Sequence, residues 1–463
     1  MDRRYEVLGD AAQLARDFVD GLAERPVGAT ATIDELRARL ERPLSDAGED
    51  PRIVVAQLAA DADPGIIASA GPRYFGFVIG GALPAAVAAD WLVSAWDQNT
   101  GGTIAAPALA VAETVAAGWV RELLGLAASS GVGFVTGCQM AHVTCLAAAR
   151  HAVLAGAGWN VEADGLQGAP EVRVVAGAHA HVTIGRACRI LGLGADRIRV
   201  VPADGEGRML ASQLGPILRE HDGPQIVCAQ AGDVNSGAFD PLAAIADACR
   251  EHGAWCHVDG AFGLWAAVSP SRRGLLDGFE RADSWATDGH KWLNVPYDCG
   301  IAIVADAAKQ RGAMSSTAAY IPANEGDVVW GLEATPEFSR RARGIPLYAA
   351  LRTLGRDGLA DLVDRCCEHA QRIAARLDEH DAVEILNDVV LNQVLVRFAA
   401  SDDVTDDVID RVQREGTCWA SGSRWHGRTV MRISVSGWQT TAADADRSVD
   451  AILGALRAAL AKA

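Results

Sequence analysis

Residues 254–260, AWCHVDG, and 283–289, DSWATDG, are two short runs of apolar and β-favouring side chains, each closed by Asp-Gly. Runs of this length that end in a turn dipeptide read as strands. Upstream, GVGFVTG (131–137), EVRVVAG (171–177), RIRVVP (197–202) and QIVCAQ (225–230) repeat the pattern, and GIAIVAD (300–306) continues it. The segments between them, AHVTCLAAARHAVLAGA (141–157), HVTIGRACRILGL (181–193), MLASQLGPILREH (209–221) and PLAAIADACREHG (241–253), have helical period and length. Repeated alternation of strand and helix predicts an α/β fold with a mostly parallel sheet covered on both faces. In such sheets, ligand-binding residues sit where strands end and loops begin.

On either side the character changes. Residues 1–75 read as a segmented helical region. Thr32-Ile33-Asp34-Glu35 has the capping-box pattern and opens a helix expected to stop near Pro43, and a second helix is expected over Arg52–Ala62. GPRYFGFVIGGALP (71–84) is glycine-rich and reads as loop, followed by a long alanine-rich helix. The stretch Ser315–Gly344 lacks a period, and long loops of this kind often act as lids. After it come helices over 346–354 and 359–379, strands near Val389–Phe398 and Thr429–Val435, and a closing helix. The expected organisation is therefore an N-terminal helical segment (1–75), a large α/β domain (76–325), and a loop with a smaller C-terminal α+β domain (326–463).

Composition narrows the function classes. The chain has 463 residues, half of them hydrophobic, and a formal charge of −17, which leaves no basic footprint for nucleic acid or anionic membrane. The first residues, MDRRYEVLGDAAQLARDF, lack the continuous apolar core of a signal peptide. PAAVAADWLVSAW (84–96) holds Asp90 and reads as a buried helix rather than a membrane span. None of the ten cysteines forms a CxxC pair, so neither a metal site nor a disulfide framework is expected; small buried thiols in a reducing cytoplasm fit best.

Four segments at strand ends carry candidate chemistry. Asp288-Gly289-His290-Lys291-Trp292 places a lysine just beyond a strand. It is either an ordinary solvated charge or an amine in a partly enclosed pocket, its pKa lowered enough to form an imine. Asp259, before Gly260, either caps a turn or pairs with a ring nitrogen that must stay protonated. His179 and His181 follow EVRVVAG and are either structural or supply a flat imidazole against a ring. Thr136-Gly137-Cys138-Gln139-Met140 joins a strand to a helix N-terminus, where unpaired N–H groups can meet a phosphate.

Taken together, these segments resemble the pyridoxal 5′-phosphate (PLP)-dependent group II amino-acid decarboxylases of the aspartate-aminotransferase-like superfamily, fold type I. The likeness begins at Gly71-Pro72-Arg73-Tyr74-Phe75 and runs to the C-terminus. It is most specific in Asp288–Asn294, Cys256–Phe262 and Asn235–Asp240. It implies a large domain with a seven-stranded sheet and a Schiff base between PLP and Lys291, with Asp259 on the pyridine nitrogen and His181 stacked on the ring. Backbone groups of Gly137, Cys138 and Gln139 would hold the phosphate, helped by His290 and Asp288, and Arg432 would meet a substrate carboxylate. The implied reaction is decarboxylation of an L-amino acid, and the implied assembly is a homodimer whose N-terminal helices wrap the partner. The absence of an arginine run and the apolar stretch Tyr74–Gly81 favour an aromatic or apolar substrate.

Two departures from the family pattern stand out. The loop 324–336, where many members carry a tyrosine that protonates Cα, has Trp330 as its only aromatic residue before Pro336, leaving Tyr320 or His181 as substitutes. The turn Gly137-Cys138-Gln139 lacks the serines of many relatives. The same scaffold also supports carbon–carbon lyase, aminotransferase and oxidative-deamination chemistry. A non-catalytic PLP-fold binding protein is a further alternative, although such a protein needs neither Lys291 nor Asp259.

Overall fold

A computed structural model describes residues 3–316, 324 and 328–462. Each of the seven strand-like runs of the central region forms a strand: β1 (Gly131–Val135), β2 (Arg173–Gly177), β3 (Arg199–Val201), β4 (Gln225–Gln230), β5 (Trp255–Asp259), β6 (Ser284–Asp288) and β7 (Gly300–Val304). They make one sheet in the order β1-β7-β6-β5-β4-β2-β3. Pairing is parallel from β6 through β5, β4 and β2 to β3, whereas β7 runs antiparallel to both β6 and β1. β1, β4, β5, β6 and β7 are buried along their whole length, which is why they read as continuous apolar runs rather than alternating ones.

The alanine-rich helix Cys138–Gly156 lies across this sheet. Its Ala141, Leu146, Ala147, Ala148 and Ala149 are buried in a core with Val174, Ile226, Ala286 and Ala302. Small side chains let helix and sheet approach closely, so the helix start is held hard against the strand ends. All ten cysteines are free and buried, and burial raises the pKa of those whose titration shifts, Cys145 to about 12 and Cys188 to about 11.

Chain contacts divide the molecule into two units. One comprises Gly80–Glu368 with Asn387–Gln393 and holds the seven-stranded sheet. The other comprises Met1–Ile79, His369–Leu386 and Val394–Ala463. The smaller sheet, of order β10-β11-β9-β8, is built from β8 (Val383–Ile385), β9 (Gln393–Phe398), β10 (Ser421–Trp425) and β11 (Arg428–Ser434). The expected strand from Val389 starts only at Gln393, and β8 and β10 are additions that the sequence pattern did not reveal. The capping box at Thr32 forms as expected, with Glu35 N–H donating to Thr32 Oγ1 at 3.3 Å and Thr32 N–H to Glu35 Oε2 at 2.8 Å; the helix ends at Leu40. The helices expected over 346–354 and 359–379 form one run, Gly344–Asp378, broken at Gly355, whose φ of 64° suits glycine.

One expectation is overturned. The helix Pro84–Trp96 buries only Ala86 and Val93, while Trp91, Leu92 and Trp96 are each nearly half exposed in the single chain. The N-terminal helices Glu6–Asp20, Ile33–Leu40 and Pro51–Ala62 bury no residue at all. No helix among the described residues is long and apolar enough to cross a membrane.

Candidate active site

The parallel register sets Asp259, the last residue of β5, opposite Ala286, two residues before Asp288 closes β6. Asp259 is buried and does what a turn-capping carboxylate does: its Oδ1 accepts the Ala261 N–H at 3.1 Å. It also does more, because its Oδ2 lies 3.4 Å from His142 Nε2. Burial pushes the carboxyl pKa up, but His142, then His181 and Lys291, outweigh burial and hold it well below the usual carboxylate range.

Lys291 follows β6 on a turn, and its Nζ is 3.2 Å from Asp288 Oδ2. The expectation of a lowered lysine pKa is reversed. Burial does push it down, but Asp288 first, with Cys138 and Asp259 behind it, outweighs burial and raises it. His290 beside it is fixed in one tautomer: its Nδ1 accepts the Cys299 N–H at 3.1 Å, so the proton of the neutral ring sits on Nε2, 3.5 Å from Asp288 Oδ1. The ring stacks on Tyr297 at 4.2 Å, and burial pushes its pKa down against the pull of Asp288.

The helix Cys138–Gly156 begins at Gly137 without a side-chain cap. The Cys138 N–H donates to Asp288 Oδ1 at 2.6 Å, so this turn and the lysine share one carboxylate. Gly300, at the start of β7, passes directly beneath: a Cβ there would lie 2.3 Å from the Gly137 carbonyl carbon. Only glycine lets β7 come this close to the turn. The Cys138 thiol points away from the role of a phosphate-binding serine, lying 3.8 Å from Asp259 Oδ1 and 3.4 Å from His142 Nε2. Gln139 reaches the Thr183 carbonyl with Nε2 at 3.4 Å, while its Oε1 is buried without a hydrogen-bond partner. His181 caps the helix Val182–Ile190, with Nδ1 accepting the Thr183 N–H at 3.4 Å.

Lys291, Asp259, His181, Gly137, Cys138, Gln139, His290 and Asp288 all line one cavity of about 250 Å³, to which Val234 and Phe262 add apolar wall, and Arg432 does not. His179 does not line it. Arg432 lies on β11 of the four-stranded sheet, opposite Ser421, and is 8% exposed rather than a surface arginine. Trp330 is buried, and its ring sits where a Cβ on Gly102 would fall, 2.8 Å away, so it packs the loop rather than offering a proton. Tyr320, the alternative proton donor, lies outside the described residues.

Sequence reasoning missed two residues. His142 follows Cys138 by one helical turn, and His257 shares a strand face with Asp259, two positions before it; this spacing is the only signal the sequence carried. Ligand atoms of Cys138, His142 and Asp259 come within 4.8 Å of one another, a grouping that could hold a metal ion. Burial, with Asp259 and Asp288, raises the Cys138 pKa well above normal, which opposes the thiolate a metal needs and favours a hydrogen-bonded cluster.

Sheet, lysine, buried carboxylate and open helix start together define a PLP enzyme of fold type I. Residues 34–399 match the family model described as the pyridoxal-dependent decarboxylase conserved domain. The chain is 30% identical over 437 residues to tryptophan decarboxylase 1 of Oryza sativa subsp. japonica, covering 87% of this chain and 83% of the relative. It is 28% identical over 413 residues to an aromatic-L-amino-acid decarboxylase of Bacillus atrophaeus (88% and 84% covered), and 27% identical over 361 residues to human cysteine sulfinic acid decarboxylase (76% and 72%). The fold matches the crystal structure of Oryza sativa TDC with PLP and tryptamine at a TM-score of 0.92, with 24% identity and 99% and 98% of the chains covered.

The chain belongs to the pyridoxal-dependent decarboxylases. It is a PLP-dependent carboxy-lyase acting on an amino acid. The residues present fit that cofactor: an amine on a turn, an ionised carboxylate at the cavity floor, an uncapped helix start, and an orphaned Gln139 oxygen in its wall.

Proposed function

We propose that the substrate is an aromatic or apolar L-amino acid, converted to its amine and carbon dioxide, in a cytoplasmic homodimer. The observation that carries the substrate class is the cavity wall: Val234 and Phe262 are apolar, and no arginine is among the described residues lining it. An acidic side chain would leave a carboxylate there without a partner beside Asp259 and Asp288, a desolvation penalty of several kcal/mol. The tryptophan and aromatic-amino-acid decarboxylases among the relatives agree with this reading.

Each residue has a role in this reading. When bound, PLP acts as an electron sink for the charge left at Cα. Lys291 would hold the cofactor covalently through its Nζ. Asp259, kept ionised, would accept the ring N–H and so keep the ring positively charged. The turn Gly137-Cys138-Gln139, together with the Nε2–H of His290, would hold the phosphate, with the Cys138 N–H shared with Asp288. His181, its Nδ1 turned to its own helix cap, would present a flat ring face and its second nitrogen to the reacting centre, where it can carry the proton for Cα in place of Tyr320. Exposed Trp91, Leu92 and Trp96, and an apolar stripe on Glu6–Asp20 that buries nothing within the chain, support burial against a second copy.

The test is product analysis on the purified holoenzyme with L-tryptophan, L-tyrosine, L-phenylalanine, L-aspartate and L-glutamate. Amine and carbon dioxide from an aromatic substrate, with kcat/KM at least about tenfold above the acidic ones, supports the proposal. A preference for an acidic substrate refutes it, and aldehyde with ammonia would point to oxidative deamination. Borohydride should fix the visible chromophore onto the wild-type chain but not onto Lys291→Ala.

A further inference from the structure

Behind Asp259 runs a line of buried polar side chains that the reaction itself does not use. His142 Nδ1 lies 3.0 Å from His257 Nε2, His257 Nδ1 lies 2.9 Å from Ser284 Oγ, and Ser284 Oγ accepts the Trp255 indole N–H at 2.9 Å. His142, His257 and Ser284 are fully buried, so water cannot complete their hydrogen bonds. We propose that these four side chains form a one-way hydrogen-bond chain ending on Asp259, and that His142, His257 and Ser284 are positioning residues that set the protonation of the cofactor's ring nitrogen through it. This rests on the assignment of Asp259 to that nitrogen.

The direction follows from counting protons. An indole N–H only donates, so Ser284 Oγ is an acceptor at its Trp255 side and has its own hydrogen to give to His257 Nδ1. Burial, with His142 behind it, pushes the His257 pKa down to about 3, so the ring is neutral and carries one hydrogen, on Nε2. That hydrogen goes to His142 Nδ1, so the hydrogen His142 turns to the carboxylate is the one on Nε2, 3.4 Å from Asp259 Oδ2. Every donor is used once, and the last faces the carboxylate. In the opposite direction, a His142 ring with one hydrogen would turn a bare nitrogen lone pair toward Asp259, and the Ser284 hydroxyl would not donate to His257. The other oxygen of Asp259 already takes the Ala261 N–H, with the Cys138 thiol at 3.8 Å. The other titratable groups facing this pair are His181, Lys291 and Cys228.

Removing the Ser284 hydroxyl frees His257 to reverse and so strips a donor from Asp259 two side chains away. A carboxylate with one donor fewer holds its charge less well and draws the shared proton toward itself, which leaves the ring nitrogen less protonated. Without positive charge on the ring, the imine nitrogen holds its proton more tightly. The readout is the pH midpoint of the holoenzyme's visible absorption band. Asp259→Asn, which tests the underlying assignment, should move the midpoint up by about one pH unit or more. His142→Leu and Ser284→Ala should move it in the same direction, and His142→Asn, which keeps an N–H for the carboxylate, should restore it. A shift in Asp259→Asn with none in Ser284→Ala and His142→Leu overturns the chain and leaves the assignment standing; no shift in Asp259→Asn overturns both. A second measurement needs no cofactor: ¹⁵N histidine spectra of the wild-type apoprotein should show His142 and His257 both protonated on Nε2, and an Nδ1–H form of either overturns the proposal.

Discussion

Asp288→Asn should make the apoprotein capture PLP faster. Asp288 faces Lys291 Nζ at 3.2 Å, and its charge is the largest influence opposing burial on that amine. At this distance, with an effective dielectric constant near 20, Coulomb's law gives an attraction of about 5 kcal/mol. That attraction stabilises the ammonium form, whereas only the free amine attacks an aldehyde. If a quarter of it is lost in the variant, the free-amine fraction at neutral pH rises about tenfold. Asparagine keeps an oxygen for the Cys138 N–H, which Asp288 accepts at 2.6 Å, so the turn should survive. The assay is stopped-flow absorbance of apoprotein mixed with saturating PLP across pH 6–9. The rate should rise and its pH profile should move to lower pH, while the Kd, read separately, should not weaken. An unchanged profile would show that Asp288 does not hold the charge on Lys291, and the electrostatic account of this site would fail.

Three further outcomes are expected. Arg340 and Glu113 form a buried ion pair, with Arg340 Nη1 2.6 Å from Glu113 Oε2 and Nη2 2.8 Å from the Phe134 carbonyl of β1; Arg340→Met or Glu113→Gln alone should cost about 3–5 kcal/mol in urea unfolding, and the double variant less than the sum. Equal additivity would show the pair is not coupled. In Gly300→Ala, the new Cβ would fall 2.3 Å from the Gly137 carbonyl carbon; displacing the turn by overpacking costs about 1–3 kcal/mol, which should appear as weaker PLP binding in equilibrium dialysis, and wild-type affinity would contradict the close approach. Asp240 is buried, and burial pushes its pKa up to about 7 against the N–H bonds from Met209 and Gln230. An acid with a raised folded pKa contributes stability that is full below its unfolded pKa and is lost as pH rises through the folded one, here on the order of 4 kcal/mol between pH ~4 and ~7. The urea midpoint should therefore fall further between pH 5 and pH 8 in the wild type than in Asp240→Asn, and parallel changes in the two would contradict the shift.

The sheet was legible because parallel strands buried on both faces leave an unambiguous signature: short apolar runs such as QIVCAQ and AWCHV, separated by helices of the right length. What the runs could not show is that β7 reverses direction. GIAIV reads the same either way, and the only trace is the short connection from Asp288 to Gly300, too short for a crossover helix. β10 was missed because Gly422, Ser423 and Arg424 face solvent wholly or partly, so half-exposed polar pairing replaces the apolar pattern. The exposure of Trp91, Leu92 and Trp96 went unread because hydropathy reports that a side chain seeks burial, not which chain buries it. In the cavity, the lysine and its aspartate were recognised as a motif, but the sign of the lysine's pKa shift was not. Burial and three neighbouring groups act in opposite directions, and only distances decide between them.

The two cavity carboxylates show what those distances decide. Asp259 is surrounded by donors, the Ala261 N–H, His142 and the Cys138 thiol, and every one of them stabilises its charge at the ring end of the proposed cofactor position. Asp288 instead sits beside the helix start, where it takes the Cys138 N–H that a phosphate would otherwise use and pairs with the amine that must become neutral. A phosphate there meets a like charge and has to rely on the remaining helix N–H groups and on the Nε2–H of His290, whose tautomer is fixed by Cys299. Cofactor charge is thus matched at one end of the cavity and opposed at the other. Once Lys291 is bound to the cofactor, its charge no longer has to balance Asp288 as a free ammonium. The residue expected to slow cofactor capture is therefore also one expected to favour release when the lysine is set free, so replacing Asp288, rather than the conspicuous Lys291, should separate cofactor affinity from chemistry.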